Sequence, residues 1–501
     1  MSERANGAWD QLMARSRELT DLASAAKILE WDQAVMMPPK GAPARARSVA
    51  TISGIAHEHL TDPQVGDWLD TLADDDSLDD DQRAMLRIFR REFDKATKVP
   101  PDLVRAIAEV SGLAYAAWTE ARPSSDFSIL KPHLEKMVEL KKEQADALGW
   151  EDERYDALLD DFEPEMKTSE VVALFDELTS GLKPLAEKIL DAAGEPPDFI
   201  SAELDGDKQK AFSDWLVTQL NFDLKRGRLD LSPHPFTIPV GAGDVRQTTR
   251  TEKGDPLAAI FATVHETGHA LYEQGLPEEW SDTPLGSVPS LGMHESQSRL
   301  WENQVGRSRP FCDFLLPNLK ERFEKELGPL DPDEFYRGAN HVRRSLIRVQ
   351  ADEVTYNLHV VMRFEIERKM FRDEITVDDL PEVWDEAMER YLGIRPPDIS
   401  DGVLQDMHWS IGALGYFPTY SIGTMYAASI FKKAQEELGD LSEEIRSGDT
   451  SRLLGWLQEK VYSQGYRYPA KELQEKVTGR PLSAQPFIEY IDEKYSELYG
   501  L

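Results

Sequence analysis

Apolar residues recur at helical spacing along most of the chain. In 9–29, Leu12, Leu19, Leu22, Ala26 and Leu29 share one side of a helix, since residues three, four and seven apart fall on a common face. Three prolines and Gly41 interrupt the pattern at 36–43, which reads as a loop. The periodicity then predicts helices over 44–60, 81–97, 101–121, 126–147, 168–193, 207–220, 256–274, 290–305 and 331–370. Further helices are expected over 376–394, 424–437, 450–461, 467–477 and 485–498.

One stretch changes period. Phe236-Thr237-Ile238-Pro239-Val240 is β-prone, Gly241-Ala242-Gly243-Asp244 has turn chemistry, and 245–250 is β-prone again. This predicts a hairpin, with Pro239 suited to an edge strand. No internal repeat or low-complexity linker divides the chain. The expectation is one large, mostly α domain over 1–501 with a small β-sheet, its first 75 or so residues forming a helical flap.

Composition narrows the partners. The 501 residues carry a net charge of -35 at pH 7. Such a surface repels nucleic-acid phosphates and anionic lipid, so neither is expected to bind. The N-terminal MSERANGAWDQL lacks the apolar core of a secretory signal, and no run of about 18 apolar residues suggests a membrane span. A soluble cytoplasmic protein is expected. Cys312 is the only cysteine, so no intrachain disulfide forms, and a buried structural thiol is expected.

Chemistry concentrates at His265-Glu266-Thr267-Gly268-His269, inside the predicted helix 256–274. Residues i and i+4 lie about 40° apart around a helix and one turn along it, so both imidazoles can point at one ion. Glu266 faces slightly aside, where it can act as general base on a metal-activated water. Ile260, Phe261, Val264 and Leu271 supply an apolar face, and Gly275 is a natural C-cap. This is a zincin-type metal helix. A catalytic zinc needs a third protein ligand from elsewhere. Glu295, on the predicted helix that begins near Ser290, is the best candidate, with His294 and Glu302 as alternatives.

Other segments are rich in reactive side chains. His234-Pro235-Phe236 and Asp244-x-Arg246-x-Thr248 flank or lie on the hairpin, whose edge could pair with an extended peptide. Ile347-Arg348-Val349-Gln350-Ala351-Asp352 falls in the predicted helix 331–370, where Arg348 and Asp352 would form an i,i+4 ion pair. Gly402 to Trp409 contains Gln405, Asp406 and His408, and is followed by Gly412, Gly415, Tyr416, Phe417, Pro418, Thr419 and Tyr420.

Together these segments resemble the Taq carboxypeptidase family of metallocarboxypeptidases. H-P-F, D-x-R-x-T, H-E-x-x-H, H-E-S-x-S, I-R-x-x-A-D and G-x-x-Q-D-x-H-W occur in that order from His234 to Trp409, and Trp31-Asp32-Gln33 with Met37-Pro38-Pro39 is also similar. The resemblance implies a helical fold with a deep active-site cleft, usually as a homodimer. It implies release of single residues from peptide C-termini with broad preference, with Glu295 as third ligand to Zn2+, or Co2+ in some members. Tyr420, then His408, are the expected oxyanion donors. Arg348 or Arg246 would read the substrate carboxylate, supported by Gln405 and His408, with His234 also at the substrate site. A zinc oligopeptidase or dipeptidyl carboxypeptidase is the alternative. No G-x-M-E-N motif supports an aminopeptidase, and a silent binding protein would be expected to have lost Glu266 first.

Overall fold

The computed structural model describes residues 3–501. The predicted helices appear with small shifts of their ends, as in Thr168–Ala193, Ala258–Gly275 and Gln485–Tyr499. Five helices lay outside the prediction: the short Tyr155–Leu159, Glu324–Leu327 and Ser442–Arg446, and two longer ones. Pro63–Ala73 starts where the Asp62 side chain accepts from the Gln64 N–H, and Arg309–Arg322 where Ser308 accepts from the Phe311 N–H. Prolines obscured both: Pro63 and Pro310 sit in first turns, where a missing N–H costs nothing, and Pro317 lies inside the second helix.

The predicted helix 331–370 is instead broken. Helices Pro332–Ala339 and Tyr356–Phe371 flank an irregular segment containing a short 3-10 turn, Arg348–Gln350. Side chains interrupt the periodic pattern. Asp352 Oδ1 accepts from the N–H groups of Val354 and Thr355 at 3.0 Å and so starts the second helix, while Gln405 Oε1 takes the Arg348 N–H at 2.9 Å. Arg348 and Asp352 therefore do not form the expected helical pair.

The hairpin is present as β2 (Thr237–Gly241) and β3 (Asp244–Thr249), with Gly243 at φ +75° in the turn. An unforeseen strand, β1 (Gly227–Leu231), pairs parallel to β3, so the order is β1-β3-β2 and β2 is an edge. Side chains alternate across β3. Thr267 Oγ1 on Ala258–Gly275 donates to Gln247, and Thr249 meets Thr263 of the same helix. Arg246 and Thr248 face the other way.

One large apolar core runs through most of the helices, including Ile260, Phe261, Val264 and Leu271 of the His265 helix (Ala258–Gly275). A separate small core joins Ala5, Ala8 and Leu12 to Val65, Leu69, Leu72 and Phe89. The first helix (Glu3–Val35) reaches from there to the sheet. Its Trp31 ring sits 4.8 Å from the Arg228 guanidinium and 4.4 Å from that of Arg246, which are register partners on β1 and β3. A groove of about 700 Å³ lies between the first helix and β2, its lining including Ser24, Pro239, Gly241 and Glu273. No described helix is long and apolar enough to cross a membrane.

Candidate metal centre and active site

Two glycines let three helices close around the centre. A Cβ at Gly268 would come 2.7 Å from Gln297 O and Ser298 Cα, so the His265 helix lies directly on the Glu295 helix (Leu291–Arg299). On its other side the Glu295 helix meets the Tyr420 helix (Pro418–Leu438) at Gly423, where a Cβ would stand 2.8 Å from Glu295 Cβ. Gly275 serves packing too. It is the last residue of its helix and lies against the Tyr462 ring, not in the left-handed cap conformation expected from sequence.

His265, His269 and Glu295 converge, with one ligand atom from each all within 4.8 Å of one another. Glu295 Oε2 lies 3.3 Å from His269 Nε2 and 3.7 Å from His265 Nε2. Each Nδ1 has an acceptor of its own: Glu302 Oε2 at 2.9 Å from His265, and the His294 carbonyl at 3.1 Å from His269. Both acceptors require a protonated Nδ1, which leaves both Nε2 lone pairs aimed at Glu295. Two half-buried imidazoles and one buried carboxylate, all convergent, are the donor set of a zinc-type divalent site. Of the alternatives for the third ligand, Glu302 is engaged behind His265. His294 stacks on the His269 ring at 4.2 Å, with its Nε2 3.1 Å from Glu273.

The electrostatics suit a cation. Burial, then neighbouring His294, push His269 down to about 3, so it is neutral and ligand-competent. Burial lowers His265 too, but Glu295 and Glu302 outweigh it and raise its pKa. Burial raises Glu295 and Glu302, yet Arg299 and His265 hold Glu295 well below the usual range, and His265 and Arg307 bring Glu302 to about 2.

Glu266 is 6% exposed, and burial raises its pKa against the pull of His265. Thr237 Oγ1 on edge strand β2 lies 2.8 Å from Glu266 Oε2 and 2.9 Å from its carbonyl. The carboxylate is thus held between metal helix and edge strand, with a proton affinity shifted towards that of a general base.

Tyr420 lies one turn before Gly423, and its hydroxyl is 3.3 Å from His408 Nε2. Burial, Tyr416 and Glu295 all raise its pKa, so it stays protonated and can donate. Burial brings His408 down to about 4, although Asp406 opposes it. Arg348 sits behind Tyr420, 4.9 Å from its ring, with Nε and an NH2 nitrogen on Asp406 and an NH1 nitrogen donating to the Tyr356 hydroxyl at 2.8 Å. Gln405 is fully engaged: its oxygen accepts from Arg348 and Arg363, and its nitrogen donates to the Leu346 and Asp401 carbonyls. Arg246 pairs with Asp244 beneath Trp31, on the face of β3 opposite the metal helix. His234 is exposed.

Several functional neighbours escaped the sequence reading. Arg299, four residues after Glu295, donates to Glu295 Oε1 at 2.6 Å, and this i,i+4 spacing was a usable signal. Glu302 was visible only as a possible ligand. Arg363 is fully buried and donates to Asp406 Oδ2 at 2.7 Å, but in sequence it is an ordinary charge on a helix.

Comparison with known proteins agrees over nearly the full length. The family described as carboxypeptidase Taq (M32) metallopeptidase matches residues 11–495. Thermostable carboxypeptidase 1 of Thermus thermophilus is 42% identical, over 98% of this chain and 99% of that protein. The M32 carboxypeptidase of Deinococcus radiodurans R1 superposes with a TM-score of 0.96 at 40% identity, covering 99% of this chain and 100% of the other. The Pyrococcus furiosus carboxypeptidase gives 0.95 at 38% identity, covering 99% of each chain.

Proposed function

The chain belongs to the carboxypeptidase Taq (M32) family of metallopeptidases and is a metal-dependent carboxypeptidase, and we propose that it releases single C-terminal residues from peptides with Zn2+ held by His265, His269 and Glu295. The observation that carries the reading is the convergence of those three side chains beside a buried Glu266 held by Thr237. When bound, the metal supplies Lewis acidity that polarises a carbonyl and eases deprotonation of water.

The chain's own groups do the rest. Glu266 takes the proton of the attacking water and returns it to the leaving amine. Tyr420 donates to the oxygen that gains charge, and His408, neutral and in contact with its hydroxyl, orients it. Arg348 and Arg363 together face Asp406 as the one carboxylate they share, which leaves an excess of buried positive charge. A substrate α-carboxylate would balance it, so Arg348, the arginine in contact with Tyr420, is the preferred carboxylate reader over Arg246. His234, exposed just before β2, is read as a substrate contact, and the free edge of β2 offers backbone groups to the peptide. The helices up to about residue 75 act as a flap over the groove. Co2+ is expected to substitute for Zn2+, and the protein is read as a cytoplasmic homodimer.

The test is a blocked peptide of about five residues, a length a groove of this kind holds, incubated with and without Zn2+ or Co2+ and followed by mass spectrometry. A ladder losing one C-terminal residue per step, absent with chelator and in Glu266→Gln, supports the reading. Dipeptide release or internal cuts would keep the metal chemistry and overturn the single-residue assignment.

A further inference from the structure

Glu295 presents two oxygens with different surroundings. Oε2 lies toward both histidines and accepts from Ser298 Oγ at 3.0 Å. Oε1 accepts from Arg299 Nε at 2.6 Å. The Arg299 guanidinium is fixed in turn. It lies 4.3 Å from the Tyr356 ring centre, its NH1 is 3.7 Å from Glu302 Oε2, and its side chain is 13% exposed. Glu302 is the carboxylate that orients His265. Arg299 therefore stands between the acceptor behind one ligand and the unused oxygen of another.

We propose that Arg299 is a positioning residue that occupies Glu295 Oε1 and so restricts Glu295 to one ligand oxygen. A carboxylate is free to offer both oxygens to a metal, and a second oxygen would fill a position that water or the substrate carbonyl needs. A buried cation on Oε1 prevents this and withdraws charge from the ligand. The Ser298 hydroxyl holds Oε2 while leaving its other lone pair to the metal. The inference rests on the reading of His265, His269 and Glu295 as ligands.

The test loads the apo protein with Co2+, whose visible bands weaken and move to shorter wavelength as the coordination number rises. Wild type, Arg299→Lys and Arg299→Gln are compared at equal occupancy, with circular dichroism confirming the fold. Band intensity should fall in the order wild type, Arg299→Lys, Arg299→Gln, since lysine keeps the charge but not the fixed fork. An Arg299→Gln spectrum superposable on wild type overturns the proposal. So does a folded Arg299→Gln chain that takes up no Co2+, because the arginine would then build the site and not set its ligand number. Should Arg299→Gln fail to fold, Arg299→Lys decides: a displaced spectrum supports the proposal and a superposable one overturns it. Wild-type protein that binds no Co2+ would instead sink the metal-site reading itself.

Discussion

Gly423 touches Glu295: a Cβ added to the glycine would stand 2.8 Å from both Cβ and Cγ of the carboxylate residue and 2.9 Å from the Gly292 carbonyl. The proposed ligand is therefore set in place by a neighbour with no side chain. Gly423→Ala should displace the Glu295 helix. Overpacking of this kind costs about 1–3 kcal/mol, and the ~1 kcal/mol gained in helix propensity offsets only part of it. Metal titration and denaturation should show weaker binding and lower stability together; unchanged metal affinity would show that the helices part without moving Glu295.

Glu302 fixes the His265 ring from its far nitrogen. Glu302→Ala removes that acceptor and strips Arg307 of a partner. Metal affinity, measured by competition with a chelator, should fall by roughly 10–100-fold, the usual effect of losing a group that orients a ligand. Wild-type affinity would mean the ring is held by packing alone.

The two candidate carboxylate readers separate on paired substrates. Arg348→Ala should lower kcat/KM for a peptide acid by about a hundredfold, in line with losing one half of a buried charge pair, and far less for the C-terminal amide. Arg246→Ala should leave the acid-to-amide ratio as it is. Equal losses on both substrates in Arg348→Ala would remove its proposed role.

Burial pushes Glu367 up to about 7, against the donors Tyr155, Gly415 and Trp409. A raised carboxyl destabilises the fold as pH rises. Below about 4.5 the folded and unfolded chains both hold the proton. Between 4.5 and 7 only the folded chain does, and above 7 the loss is complete. The rise from 4.5 to about 7 corresponds to about 3 kcal/mol. Denaturation of wild type and Glu367→Gln from pH 4.5 to 8 should show the wild type losing that much more than the variant. Parallel curves would place the Glu367 pKa at an ordinary value.

Trp31 lies between two arginines of the sheet. Each such contact is worth about 0.5–1 kcal/mol. Trp31→Ala should therefore speed amide exchange in the first helix, read by mass spectrometry, and leave that of the His265 helix unchanged. Equal exchange in both proteins would mean the helix is held elsewhere.

The metal centre was legible because its spacing is short and helical: His265, Glu266 and His269 share one helix, and Glu295 follows on the next. Helices with continuous apolar periodicity, such as Thr168–Ala193, were equally plain. The segment around Arg348 was not, because side chains from elsewhere, Gln405 among them, take its backbone groups and override a helical pattern. β1 is short and mostly polar, Gly-Arg-Leu-Asp-Leu, and pairs only with a strand that comes later in the chain. Arg363 and Thr237 have meaning only once distant segments meet, at Asp406 and Glu266.

The centre is local along the chain. His265, His269, Glu295, Arg299 and Glu302 lie on consecutive helices, and the longest bond among them, His265 to Glu302, spans 37 residues. The groups assigned to the scissile carbonyl and the substrate carboxylate, Tyr420 and Arg348 with its partner Asp406, come later, and the bond that joins Arg348 to Asp406 spans 58 residues. Short loops close sooner than long ones. During synthesis Gly423, against which Glu295 packs, leaves the ribosome after Arg348, Asp406 and Tyr420, so the ligand set closes only once the groups assigned to the substrate carboxylate have also emerged.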